Sequence, residues 1–144
     1  MINDKKHLTA ITRKKLSLPM KNLIAQSLIT GRSLDYGCGK GFSAEELGMS
    51  KFDPHYAPER PEGKFDTITS NYVLNVVNEE DVNGIIEDIK SLLKDDTSRA
   101  YLSVRRDVKQ EGFTKRGTYQ RDVVLDLPVL KEKKGAFCTY VLTK

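Results

Sequence analysis

A run of alternating glycines, Asp35-Tyr36-Gly37-Cys38-Gly39-Lys40-Gly41, constrains this chain more than any other feature. It follows a short strand candidate, Ser33-Leu34-Asp35-Tyr36, and precedes a short helix candidate, Ser43 to Leu47, that stops at Gly48. Glycines where a strand hands over to a helix let the backbone turn tightly and approach a ligand with no Cβ in the way. N–H groups at the following helix start can receive an anionic group. In open α/β sheets the carboxyl ends of the strands are where ligands bind. Gly37, Gly39 and Gly41 are spaced G-x-G-x-G, which is not the G-x-G-x-x-G dinucleotide fingerprint, and the chain contains no G-x-x-x-x-G-K-[ST] for a nucleoside triphosphate. Asp35, ahead of the first glycine, suits a cationic group such as an amine or a sulfonium and repels a pyrophosphate. Asp53 ends a second strand candidate, Lys51-Phe52-Asp53, where a carboxylate can accept both hydroxyls of a ribose. The pair predicts a nucleoside-containing ligand laid across the strand ends.

The rest of the front two-thirds alternates strand and helix signals. Residues 8–30 read as helix in pieces, with Pro19 in a first turn, Leu23, Ile24 and Leu28 as an apolar face, and Gly31 as a stop. Residues 54–64, with three prolines and a glycine, read as loop. Phe65 to Ser70 and Arg99 to Val104 read as strands, and Glu79 to Leu93 as the clearest helix. Ile85, Ile86, Ile89, Leu92 and Leu93 form the core stripe of that helix. Residues 105–118 read as loop. Gln120 to Leu127 and Ala136 to Leu142 read as two antiparallel strands joined by the charged stretch KEKKG. This order predicts an α/β fold with a mostly parallel sheet, helices on both faces and a C-terminal antiparallel pair. One domain is expected over 1–144: a helical segment to residue 31, an α/β core over 32–104, and a C-terminal portion over 105–144.

A length of 144 residues leaves no second domain of the kind a dinucleotide oxidoreductase usually needs. No stretch approaches the ~20 apolar residues of a membrane helix. The N-terminus has basic residues but no apolar run behind them, so no secretory signal is read and a cytoplasmic setting is expected. Cys38 and Cys138 make no disulfide framework, and with only His7 and His55 beside them no metal site is expected. The net charge of +4 is unevenly spread. Residues 1–32 carry seven Lys/Arg and one acid, residues 98–121 seven and two, and residues 45–96 five against thirteen acids. Basic ends around an acidic middle suggest a polyanionic partner such as nucleic acid, or simply an uneven solvated surface.

LDYGCGKG followed by KFDP resembles motif I and the ribose-binding acid of class I S-adenosylmethionine-dependent methyltransferases. TAITRKKLSLP (9–19), DYGCGKG (35–41), DPHYAP (53–58) and SNYVLNVV (70–77) resemble more closely a methyltransferase family associated with DNA-phosphorothioation systems. The likeness covers roughly residues 9–104. It implies a minimal Rossmann-like methyltransferase fold with S-adenosylmethionine as cofactor. Gly37, Gly39 and Gly41 would lie under its methionine part, Asp35 would orient its amino group, Asp53 would hold the ribose hydroxyls, and Pro54 would lie against the adenine. Asn71 and Tyr72 would line the methyl-transfer side as the catalytic candidates, Asn71 also touching the cofactor. Arg13 is suggested to meet the cofactor carboxylate or a substrate phosphate. Arg105 or Arg106, at the end of a strand, is a candidate substrate contact.

The chain also departs from that family. Only eleven residues, 54–64, stand where a third strand and its crossover helix belong, so both are expected to be absent, along with the acid that normally marks the adenine amine. SNYV replaces the [DNS]-P-P-[YF] tetrad of amino-methylating enzymes. The leading expectation is a methyltransferase acting on DNA or RNA, by in-line attack of the acceptor on an activated methyl. The alternatives are a non-catalytic methyltransferase-like module or subunit, and a small-molecule methyltransferase. So small a protein suggests a protein partner or a second copy when the acceptor is a duplex. No membrane partner is expected.

Overall fold

Strand and helix signals that alternate along the sequence become two helical layers around one twisted sheet. A computed structural model describes residues 15–108, 112–113 and 119–144. In chain order the elements are α1 (Leu18–Ala25), β1 (Ser33–Tyr36), α2 (Phe42–Leu47), β2 (Ser50–Phe52), β3 (Thr67–Asn71), a 3-10 turn (Leu74–Val76), α3 (Glu79–Ser91), β4 (Arg99–Arg105), β5 (Gly112–Phe113), β6 (Tyr119–Gln120), β7 (Val129–Lys133) and β8 (Phe137–Thr143). Six strands form one sheet in the order β2-β1-β3-β4-β8-β7; β5 and β6 make a separate two-stranded ribbon. The pairs β1–β2, β1–β3 and β3–β4 are parallel, and β4–β8 and β7–β8 are antiparallel.

Side-chain alternation sorts the two faces. Leu34, Tyr36, Ile68, Ala100, Leu102, Val104, Cys138, Tyr140 and Leu142 point to the side where α3 lays Val82 and Ile89. Full burial of aliphatic side chains such as Leu34, Ile68 and Leu102 is worth roughly 1.5–3 kcal/mol each. Tyr101 and Val141 point the other way, against Met20 and Leu23 of α1 and Ala44 of α2. That second face also buries Asp35, Thr67, Thr69, Ser103 and Thr139. Thr69 and Asp35 are paired across β1 and β3, and the Ser103 and Thr139 hydroxyls lie 2.7 Å apart across β4 and β8.

Most element expectations hold to within a residue or two, and four do not; within the stretch read as loop over 105–118, Gly112–Phe113 pairs as a strand with Tyr119–Gln120. Residues 8–14 of the 8–30 reading lie outside the described residues; within the rest α1 covers only Leu18–Ala25, and Ile24 is 39% exposed because Pro19, Met20 and Leu23 form its inward face. The strand expected over 120–127 is not in the sheet. Val123, Leu125 and Leu127 alternate because they pack on the α3-side core, and Arg106 grips the Val123 carbonyl at 2.5 Å. One buried face suffices to produce period-two alternation, with no ladder needed. The strand that does pair with β8 is Val129–Lys133, which includes part of the expected KEKKG connection. It is an edge strand with exposed Lys131, Glu132 and Lys133, charges that keep an edge from recruiting another chain.

Between β2 and β3 the chain forms no strand of the sheet. Residues 53–66 run as a loop closed at its start by the Asp53–Ala57 bridge. Arg32 donates to the Glu62 and Lys64 carbonyls, Lys64 donates to Ser91 O, and Arg60 pairs with Asp88 of α3. The third strand and its helix are missing from this stretch, and β2 becomes the sheet edge.

Candidate functional site

β1 ends at Tyr36, and the chain turns at once through left-handed backbone at Gly37 (φ +79°), Gly39 (+58°) and Gly41 (+87°). At Gly37 a Cβ would lie 2.3 Å from Val73 Cγ2, so only glycine allows this loop to pass beneath the segment after β3. The loop's donors are used locally. Gly37 N and Cys38 N donate to Phe52 O at 2.7 and 3.1 Å, and Gly39 N donates to Asp53 Oδ2 at 2.9 Å. These three N–H groups are therefore spent within the loop; the helix start expected to receive an anionic group lies further on, at Phe42 of α2.

Asp35 sits beneath the loop, 5% exposed, and accepts one hydrogen bond from Thr69 Oγ1 at 2.9 Å. Burial pushes its carboxyl up to about 6, the Thr69 bond opposes this, and the charge of Asp53 adds to it. Asp53 Oδ1 accepts from His55 N (2.9 Å) and Tyr56 N (3.1 Å), while Oδ2 accepts from Gly39 N. Three of about four accepting positions of that carboxylate are occupied, and Oδ2 retains the fourth. Asp53 is thus an organiser of the 53–57 turn as well as a ribose-binding candidate. A half-buried Cys38 thiol lies between these acids, and burial pushes it up to about 12, so it stays a neutral space-filler.

Both carboxylates open onto a cleft of about 1070 Å³. Asp35, Gly37, Gly39, Gly41, Asp53, Pro54, Asn71, Tyr72 and Arg105 all line it, so all the sequence-expected residues but Arg13 and Arg106 meet in one place. Arg13 lies outside the described residues. Ligand pockets run from roughly 300 to 1,000 Å³, and this cleft stands at the top of that range. Asn71 ends β3 with its Nδ2 3.6 Å from Met20 Sδ and its buried Oδ1 without a partner among the described residues. Tyr72 follows in left-handed backbone (φ +67°), uncommon for a bulky residue, with its N–H on Ser103 O at 2.7 Å. Arg105 is held by a two-pronged pair to Asp107, both bonds 2.8 Å. Arg106 is not in the cleft; it is tied to Asp122, Glu132, Val123 O and the Tyr140 hydroxyl and is a structural cation. Among the described residues no group of three or more His, Cys, Asp or Glu is placed to hold a metal. No described helix is long and apolar enough to cross a membrane.

Sequence reasoning missed the wall formed by α3. Asp81, Gly84, Ile85 and Asp88 line the cleft. Their i, i+3, i+4, i+7 spacing is a helical stripe that shares Ile85 with the core stripe, and the mid-helix glycine is the legible signal. Gln120, from the ribbon, also lines the cleft and buries an Oε1 without a partner among the described residues. It is carried there by Arg121, whose N–H and Nε donate to Asn75 O and Val77 O, while Asn75 Nδ2 donates to Arg121 O.

No protein-family model matches the chain, and no curated protein matches its sequence. Solved structures do match in fold. The DhpI–SAH complex superposes with a TM-score of 0.60 at 12% identity, over 85% of this chain and 81% of that one. An SAM-dependent methyltransferase from Bacteroides fragilis with bound S-adenosyl-L-homocysteine gives 0.56 at 17%, over 91% and 79%. The glycopeptide N-methyltransferase MtfA with S-adenosyl-L-homocysteine gives 0.50 at 10%, over 93% and 62%. The chain therefore has the Rossmann-like α/β fold of SAM-dependent methyltransferases, mostly parallel and closed by an antiparallel C-terminal pair.

Proposed function

We propose that this chain is an S-adenosylmethionine-dependent methyltransferase. The observation that carries the reading is the carboxylate pair. Asp35 is buried beneath the glycine loop with one side-chain hydrogen bond among the described residues, beside a second acid, while the N–H groups of Gly37, Cys38 and Gly39 are bonded within the fold. A buried carboxylate so placed is poorly compensated until a cation arrives. An amino group and a sulfonium supply that charge, and the free position on Asp53 Oδ2 accepts a ribose hydroxyl. Bound S-adenosylmethionine supplies an electrophilic methyl. This chain's residues orient it from below, and Asn71 and Tyr72 close the side from which an acceptor approaches. Holding two reactants in line and excluding water is most of what such a transfer asks of a protein.

The acceptor we propose is a nucleic-acid base. The cleft lining has five aspartates, Asp35, Asp53, Asp81, Asp88 and Asp107, against Lys40 and Arg105, so phosphates are unwelcome inside it. An uncharged base can enter while its backbone stays outside, on the Lys/Arg-rich stretches 1–32 and 98–121. The likeness of residues 9–77 to the phosphorothioation-associated family supports DNA within that class. A duplex would call for a partner chain or a second copy. The same acidic lining favours a second reading, a small amine-bearing acceptor.

Calorimetric titration with S-adenosylhomocysteine tests the cofactor reading. Saturable one-to-one binding is expected, and Asp53→Ala should weaken it by roughly 1–3 kcal/mol through lost charge-assisted hydrogen bonds. Absence of binding to the wild-type chain would leave a cofactor-free module with a methyltransferase fold.

A further inference from the structure

We infer that α3 takes over the adenine-recognition task left vacant by the absent third strand: Gly84 and Ile85 form the surface on which the base lies, and the Asp81 carboxylate accepts its exocyclic amine. This rests on the proposed cofactor. With no strand or helix between β2 and β3, the cleft reaches the flank of α3 directly. Its distance from the glycine loop is fixed, because Tyr36, the residue before Gly37, donates to Asp88 Oδ2 at 2.5 Å. Asp88 is fully engaged, since Arg60 holds both its oxygens at 2.6 and 3.1 Å. It therefore serves as the staple of this wall and not as a ligand contact.

One turn toward the N-terminus stands Gly84. A glycine inside a helix weakens it relative to alanine, and here no backbone need excuses it: its φ is not left-handed and an added Cβ would meet nothing within 4 Å. The space in front of it belongs to the cleft. Ile85 beside it is a half-buried apolar side chain, and Pro54 and His55 line the same cleft. A bare patch of helix beside an aliphatic side chain suits the flat face of a purine. A further turn on, Asp81 lines the same cleft as an exposed carboxylate, which accepts from an amine and repels an oxo group.

Binding alone tests this, measured calorimetrically for S-adenosylhomocysteine and for S-inosylhomocysteine, where an oxo group replaces the amine. The wild-type chain should bind the adenosyl compound about tenfold or more tightly than the inosyl one. Asp81→Ala should shrink that preference to less than about threefold. Gly84→Leu, which favours the helix and sits at an exposed position, should keep the melting temperature while weakening both ligands by about tenfold or more. Equal affinity of the wild type for the two ligands, retained preference in Asp81→Ala, or undiminished binding by Gly84→Leu each overturns the assignment while leaving the cofactor reading standing. No binding of S-adenosylhomocysteine by the wild type brings down both.

Discussion

Asp35 is the residue on which fold and proposed chemistry pull in opposite directions. Its carboxyl is raised from 3.8 to about 6, chiefly by burial. A raised folded-state value means the native protein holds the proton more tightly than the unfolded chain. The stability this contributes is complete below pH 4 and is lost as the pH rises through 6. A shift of that size corresponds to at most ~3 kcal/mol. Asp35→Asn should therefore stabilise the protein by ~1–3 kcal/mol above pH 7 in urea unfolding, with little gain at pH 4. The same substitution should abolish the rise in S-adenosylhomocysteine affinity expected in the wild type as the pH passes 6. An unchanged affinity profile would remove Asp35 from contact with the ligand's amino group. At this scale the sequence was highly legible. Asp35, the glycines and Asp53 were recognisable because backbone sterics and charge act over a few consecutive residues. The packing of Gly37 against Val73 was not, because it joins positions far apart in the chain.

Among elements, legibility follows how local the cause is. β1 spans the four residues expected, since it is bounded by Gly31 upstream and Gly37 downstream. β7 carries no strand signal because an edge strand needs no apolar face, and 120–127 reads as a strand because packed extended chain alternates just as a strand does. The cleft wall on α3 was missed for a related reason: the core stripe identifies the buried face of a helix and says nothing of what its flank meets. That flank is joined to β1 and to the 54–64 loop through one carboxylate, Asp88. Arg60 is half exposed, so Arg60→Ala should cost no more than ~1 kcal/mol in urea unfolding. Asp88→Ala leaves the hydroxyl of Tyr36, a residue only 8% exposed, without its acceptor and should cost ~1–3 kcal/mol. Equal costs would mean that the tie to β1 contributes nothing beyond the surface pair.

Charge is the property that only the whole molecule expresses. Thirteen acids stand against five bases over residues 45–96, which supply β2, the 53–66 loop and α3, and the cleft inherits that sign. The compensating Lys and Arg lie toward the two ends of the sequence, partly in 1–14 and 114–118, beyond the described residues. A polyanion is thus attracted by one part of the chain and repelled by another, and the two contributions respond differently to salt. Contacts between cations and phosphates release counterions, so affinity falls by a power of salt concentration set by their number; four contacts on a single strand give a slope of about −3. Diffuse repulsion from the acidic middle is screened by the same salt, with a range of about 10 Å at 0.1 M, and flattens the curve. Fluorescence anisotropy with a single-stranded oligonucleotide, at ionic strengths from low to above physiological, reads the balance. A slope near −3 that S-adenosylhomocysteine leaves unaltered is the expected result for a base inserted into the acidic cleft with its backbone on the basic ends. A slope near zero, or no binding at low salt, removes nucleic acid as the acceptor and leaves the small amine, whose own charge the aspartates of the cleft would attract.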